Sequence, residues 1–244
     1  KSDADTAANV GDEALLLARA APTVVARNRT QGARSIEASG ASAIVMDDGF
    51  QNPSLVKDLA LVAVDVGAGI GNGRVLPAGP LRAPLASQMQ RAGAVVLIGD
   101  DETAFSGLPK DVPVIRARIV PAEDAAWIRS SPILAYCGIG RPAKFFATLG
   151  ELGAQITKAA PFPDHHAFTE DDARDLTGKA ARLGATLVTT EKDWVRIDAA
   201  RPALAKLKTE SRTLPIKLAV APESEAELSR LVAAALTPRH RIVT

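Results

Sequence analysis

The chain has 244 residues, 47% of them apolar and only 4% aromatic, with a net charge of +1. That length allows one large or two modest domains built on an Ala/Val/Leu/Ile core, and the near-neutral charge excludes a chain-wide nucleic-acid surface or an acidic tail. The single cysteine, Cys137, excludes an intramolecular disulfide and a cysteine-based zinc site and fits a reducing compartment.

Read in chain order, helical patterns alternate with short apolar, β-prone runs. A helix is expected over Asp12–Ala20, a strand over Thr23–Ala26, a helix over Thr30–Ser39, and strands over Ala43–Asp47 and Leu59–Asp65. Then come a helix over Pro84–Arg91, strands over Ala94–Ile98, Val114–Val120 and Ile133–Cys137, and a helix over Pro142–Leu152. The last elements are a strand over Gln155–Ala159, a helix over Thr169–Leu183, strands over Thr186–Thr189 and Ile216–Ala221, and a helix over Glu223–Ala235. Such alternation predicts βαβ units and mostly parallel sheets, in two α/β lobes. The polar Pro121–Ser131 segment is the expected boundary, giving lobes 1–125 and a smaller 126–244. Thr169 to Asp172 has the form of a capping box, and Glu223 and Glu225 suit the start of a helix; both read as structural. No apolar run approaches the ~18 residues of a membrane span, and the polar Lys1–Asp5 start has no signal-peptide core, so these residues read as soluble.

The expected strand over Ala43–Asp47 runs into Asp48 and Gly49. Ligands in open α/β sheets lie beyond the carboxyl ends of strands. Two acids there form a Mg²⁺ seat, or else a plain Asx turn. Val66 to Pro84 resists regular structure, with Gly67, Gly69, Gly71, Gly73 and Gly79 among its prolines. Long ordered loops of this kind are usually functional, and this one carries Asn72, Arg74 and Arg82. Arg27, Arg29, Arg74 and Arg82 have the planar fork that grips phosphate, or are surface charges. Asp12 and Glu13 open a helix, where acids are ordinary. His165 and His166 hold the residue type most easily tuned for proton transfer, and at most one of two neighbours would act. Thr189 to Asp193 follows a strand and reads as a helix cap. The Gly-rich phosphate loop G-x-x-x-x-G-K-[ST] occurs nowhere in the sequence.

Together these pieces resemble the tetraacyldisaccharide 4′-kinase family of lipid A biosynthesis. The matching segments are Val10–Glu13, Met46–Gln51, Gly71–Arg82, Phe162–His166 and Thr189–Asp193, in order from about Thr6 onward. The resemblance implies a P-loop NTPase lobe with a smaller α/β lobe, ATP and Mg²⁺ as cofactors, and phosphorylation of the 4′-hydroxyl of a lipid disaccharide 1-phosphate. It implies Asp12 as general base paired with His165, and Glu13, Asp47, Asp48 and Gln51 serving metal and nucleotide. Arg29, Asn72, Arg74 and Arg82 would then meet substrate phosphates.

The sequence departs from the family in two places. Asn52 stands where the family usually has His, and the family's P-loop and membrane-associating helix precede the Gly-Asp-Glu motif. The expectation is therefore a kinase lacking its first segment, with very low activity in these 244 residues alone. Its place would be the cytoplasmic face of the bacterial inner membrane, touched through that segment, with a lipid A disaccharide precursor as partner and no nucleic acid. The alternatives are a non-catalytic glycolipid-phosphate binding module and a metal-dependent phosphohydrolase built on Asp47 and Asp48.

Overall fold

The computed structural model describes residues 5–99 and 111–237. The chain forms two compact units, each closed by two stretches of sequence: Lys1–Val25 with Pro121–Ile216, and Ala26–Val120 with Lys217–Thr244. The chain passes from one unit to the other at 25/26, 120/121 and 216/217.

In the first unit, α1 (Ala7–Val10) and α2 (Asp12–Ala20) lead; after the crossing come β4 (Ile133–Cys137), α5 (Pro142–Glu151), β5 (Ile156–Pro161), α6 (Glu170–Leu183) and β6 (Thr186–Thr189). α7 (Glu191–Arg196), α8 (Pro202–Glu210) and β7 (Ser211–Thr213) complete it. The sheet order is β5-β4-β6-β7, and every pairing is parallel. β4 is buried along its whole length, because a parallel central strand is covered on both faces. Its period-two alternation sends Leu134 and Tyr136 into a cluster with Phe168, Leu176 and Leu207, while Ile133, Ala135 and Cys137 join Phe145 and Leu149. Burial pushes the Cys137 thiol up to about 12, so it behaves as a small apolar side chain.

The second unit holds α3 (Arg29–Ala38), β1 (Leu61–Asp65), α4 (Leu85–Met89), β2 (Ala94–Ile98), β3 (Val114–Pro121), β8 (Ile216–Val220) and α9 (Pro222–Leu236). Its sheet order is β1-β2-β3-β8, with β1–β2 and β2–β3 parallel. Val64, Met89, Val95 and Leu97 fill one face, and Ala94, Val96, Ile115 and Ala117 meet Leu228 and Leu231 of α9 on the other. These are the α/β, mostly parallel sheets the alternation predicted.

Two expected strands do not form. Thr23–Ala26 and Ala43–Asp47 have no regular structure and pair with no strand among the described residues, and Val25 and Val45 are 59% and 96% exposed. A strand exists only through its ladder; apolar, β-prone sequence without a partner forms none. Asp47 and Asp48 consequently lie in a turn after an unpaired segment, not at the end of a sheet strand. In addition, β7 and α8 form where no strand or helix is expected. The capping box at α6 is present, with Thr169 Oγ1 accepting from the Asp172 N–H at 3.1 Å and Asp172 accepting from the Thr169 N–H at 2.8 Å.

Candidate functional site

In the first unit, the carboxyl end of β4 organises a polar cluster. Gly138 follows that strand, and a Cβ on it would come within 2.9 Å of the His166 Cβ and 3.1 Å of the Pro163 carbonyl. Only glycine lets the Pro163–His166 segment pack this close to the backbone. The Gly138 carbonyl accepts from the His165 N–H at 3.0 Å and from Arg196 Nη1 at 2.7 Å, while its N–H donates to Asp193 Oδ1 at 3.0 Å. Thr190 caps α7 by accepting the Asp193 N–H, and its hydroxyl donates back to Asp193 Oδ2 at 2.6 Å. The Thr189–Asp193 segment is therefore a helix cap, as its sequence suggested, and it also fixes a buried carboxylate.

α2 packs on α7 and delivers Asp12 to this cluster. The Asp12 side chain is 10% exposed, and its Oδ2 accepts from Arg196 Nε at 2.8 Å and from Arg196 Nη2. Its Oδ1 accepts the Glu13 N–H at 2.9 Å. Burial pushes the Asp12 carboxyl up, but the Arg196 hydrogen bonds and charge, the Glu13 N–H and nearby Lys192 outweigh it, holding Asp12 below the usual value. Asp193, wholly buried, is raised by burial despite its partners Thr190, Gly138 and Arg196. Glu13 pairs with Lys192.

The two histidines part company. His166 stacks on Phe162 with centroids 4.7 Å apart, and its Nε2 lies 3.0 Å from the capping carboxylate Asp172 Oδ2. It is a packing residue. His165 is exposed, at φ 57°, with Nδ1 3.1 Å from Arg196 Nη2 and Nε2 3.9 Å from Asp164 Oδ2. Asp12 and His165 are thus brought together, joined through Arg196. Arg196 escaped the sequence reading because the contact to Asp12 spans 184 positions. Its one local trace is the Asp193–Arg196 spacing of three on a helix, which puts both side chains on one face.

In the second unit, a separate set of candidates gathers around the Asp47–Asp48 turn. Arg29, in the first turn of α3, donates to the Asp47 carbonyl at 3.4 Å. Gln51 accepts from Arg82 at 3.4 Å and donates to Gln88 at 2.7 Å, which ties the end of the long loop to this turn. Asp47 and Asp48 are exposed, with no ion pair among the described residues. Asp48 has φ 46°, and Gly49 packs so close to Met46 that a Cβ would lie 2.7 Å from the Met46 Cβ. Asn52 accepts from the Ser54 N–H and hydroxyl at 2.9 and 2.6 Å, an Asx turn needing no charge. Asn72 also works within its own loop, accepting the Arg74 N–H at 3.1 Å and donating to the Ala78 carbonyl at 2.7 Å. Arg74 and Arg82 are exposed. Among the described residues no group of three His, Cys, Asp or Glu side chains is arranged to hold a metal. Two adjacent carboxylates in an exposed turn nevertheless fit Mg²⁺, which takes one or two carboxylates and fills its shell with water and phosphate oxygens.

The sequence model of the tetraacyldisaccharide-1-P 4′-kinase family, LpxK, matches residues 1–236. The tetraacyldisaccharide 4′-kinase of Methylobacterium sp. (strain 4-46) is 49% identical over 241 residues, covering 96% of this chain and 69% of that protein. That of Rhodospirillum centenum is 49% identical over 234 residues, covering 95% and 67%. The chain thus spans about two thirds of the length of these relatives. A crystal structure of LpxK from Aquifex aeolicus in complex with ATP superposes with a TM-score of 0.71 over 96% of this chain and 71% of that one, at 23% identity. That likeness carries the fold, a mixed α/β arrangement with parallel sheets. By the family match and by identity over nearly its whole length, the chain belongs to the tetraacyldisaccharide-1-P 4′-kinase family.

Proposed function

We propose that these residues serve the transfer of the γ-phosphoryl group of ATP to the 4′-hydroxyl of a tetraacyldisaccharide 1-phosphate in lipid A biosynthesis, the kinase activity in its relatives' name, with very low activity when the 244 residues act alone. The observation that carries the reading is Asp12, a buried carboxylate held ionised by Arg196 at the end of a parallel sheet. Phosphoryl transfer asks little covalent chemistry of a protein beyond a positioned base and neutralised charge. The substrate oxygen bonds to the γ-phosphorus as the bond from that phosphorus to the β–γ bridging oxygen breaks. The hydroxyl proton passes to Asp12, and ADP leaves with the electron pair. Asp47 and Asp48 would hold Mg²⁺, which when bound neutralises phosphate charge. Arg29, Arg74 and Arg82 supply the planar donors that recognise phosphate oxygens, while Asn72 keeps the arginine loop in shape. Gln51 positions Arg82. His165 supports Asp12 through Arg196, and Glu13 is the further carboxylate assigned to metal and nucleotide.

The acylated substrate places the reaction at a membrane surface, and we assign the chain a peripheral position at the cytoplasmic face of the inner membrane. No helix among the described residues is long and apolar enough to cross a membrane. The test is phosphorylation of tetraacyldisaccharide 1-phosphate by Mg²⁺–ATP, measured on the full-length protein. Asp12→Asn is expected to lower kcat about 10²- to 10⁴-fold, with KM for Mg²⁺–ATP near wild type. A kcat equal to wild type would remove Asp12 as the base.

A further inference from the structure

Arg196 has an unusual hydrogen-bond account. A guanidinium carries five N–H donors and no acceptor. Here Nε donates to Asp12 Oδ2 at 2.8 Å; Nη1 donates to the Gly138 carbonyl at 2.7 Å and to Asp193 Oδ1 at 3.1 Å. Nη2 donates to Asp12 Oδ2 and, at 3.1 Å, meets His165 Nδ1. All five donors are used, and the side chain is only 8% exposed. An arginine serving merely as a counter-ion to Asp12 would need two of them.

The chemistry of the contacts divides the atoms of the site. Arginine cannot accept, so the Nη2 contact requires a lone pair on His165 Nδ1, which places the imidazole proton on Nε2. Asp12 Oδ2 is occupied twice, leaving Oδ1, with its single backbone donor, as the oxygen able to take a proton. His165 Nε2 is 3.9 Å from its nearest carboxylate, Asp164 Oδ2, beyond hydrogen-bond reach.

We propose that Arg196 is a positioning residue of the phosphoryl-transfer site, fixing Asp12 so that Oδ1 is its reactive oxygen and fixing His165 as a donor through Nε2–H. This rests on the kinase reading above. His165 then supplies a hydrogen-bond donor and Asp12 the acceptor, each held by Arg196. Lysine cannot replace it, since three donors on a point charge reproduce neither the fork nor the span to Asp12, Gly138, Asp193 and His165 together.

Two measurements test this. The first needs no catalysis: ¹⁵N-detected spectra of the imidazole nitrogens, recorded on the wild-type chain at about pH 8, above the ordinary histidine value of about 6.5. The sequence has three histidines, so assignment is tractable. His165 is expected to show an unprotonated Nδ1 and a protonated Nε2, a preference that Arg196→Lys relaxes. An Nδ1–H tautomer in the wild type, or an unchanged tautomer in the variant, overturns the proposal. The second is kinetic, on the full-length protein: Arg196→Lys is expected to lower kcat by about 10²-fold, the scale of ångström misplacement, with KM for Mg²⁺–ATP little changed. Wild-type kcat in the variant overturns the positioning role. Absence of phosphoryl transfer in the wild type overturns the kinase reading instead, and the tautomer result separates that outcome from a failure of Arg196 to order the histidine.

Discussion

The two candidate regions are built on opposite principles. Around Arg196, in the first unit, Asp12 and Asp193 each have protein partners and are nearly or wholly out of solvent. Around Asp47 and Asp48, in the second, the carboxylates and the arginines of the long loop are exposed and largely unpaired. The first arrangement suits a group whose protonation state and direction must be fixed before substrate arrives, because low local dielectric amplifies every such contact. The second suits groups that acquire their partners from a ligand, since phosphate and a hydrated cation satisfy exposed charges that the protein leaves open. The described non-glycine residues with positive φ, Asp48 and His165, fall one in each region. Backbone strain of that kind clusters at functional sites.

That contrast can be broken most forcefully at Arg196. Arg196→Met leaves Asp193 and Asp12 without their cation, and removing one partner of a buried pair costs about 3–5 kcal/mol. Both tryptophans, Trp127 and Trp194, belong to the first unit, so their fluorescence reports its urea unfolding separately from the second. A midpoint within error of wild type would mean the cluster is less buried than its geometry indicates.

A smaller effect is expected at the α6 cap. Thr169→Ala should cost about 1 kcal/mol, the usual value of an N-cap. Burial pushes Asp172 up, but the Thr169 N–H, the His166 hydrogen bond and the Thr169 hydroxyl hold it below the ordinary value of 3.8. A depressed folded-state carboxyl contributes stability that is present above the unfolded value and lost as pH falls through the folded one. Thr169→Ala should therefore narrow its gap to wild type below about pH 4, a trend that acid titrations of the unfolding midpoint can check.

The smallest effect sharpens the contrast from the other side. Asp47→Asn with Asp48→Asn removes two exposed, unpaired charges, and folding stability should move by no more than about 0.5 kcal/mol. Mg²⁺-dependent nucleotide binding, followed by calorimetry, should weaken in the same protein. A large loss of stability with binding intact would place these residues with the fold and not with the ligand.

How much of this was legible depended on how local the determining forces were. β2 and β4 were read with their bounds because each is a continuous apolar run covered on both faces. The same reasoning failed at Thr23–Ala26 and Ala43–Asp47, whose residues are as β-prone but have no ladder partner. β7 was invisible for the converse reason: Ser211, Arg212 and Thr213 become a strand only by pairing with Leu187, Val188 and Thr189. At the candidate site, the resemblance implies the pairing of Asp12 with His165, but the arginine that joins them could not be read from the sequence. Arg196 reaches Asp12 across 184 positions and His165 across 31, and no period or motif records such a contact.

The order of strands in the second unit has a consequence for how the chain is made. β8 completes the sheet beside β3, and α9 follows it, with Ser224 Oγ accepting the Arg116 N–H at 3.0 Å. Both are translated after residues 121–215. On the ribosome, β3 waits with an open edge, a template for wrong pairing, while another unit is synthesised. The α2 residues wait longer still for α7, on which they pack. The first unit has all its residues once Ile216 is made, whereas the second still lacks β8 and α9, so the order of synthesis lets the first close earlier and leaves β3 exposed to misassembly until α9 follows.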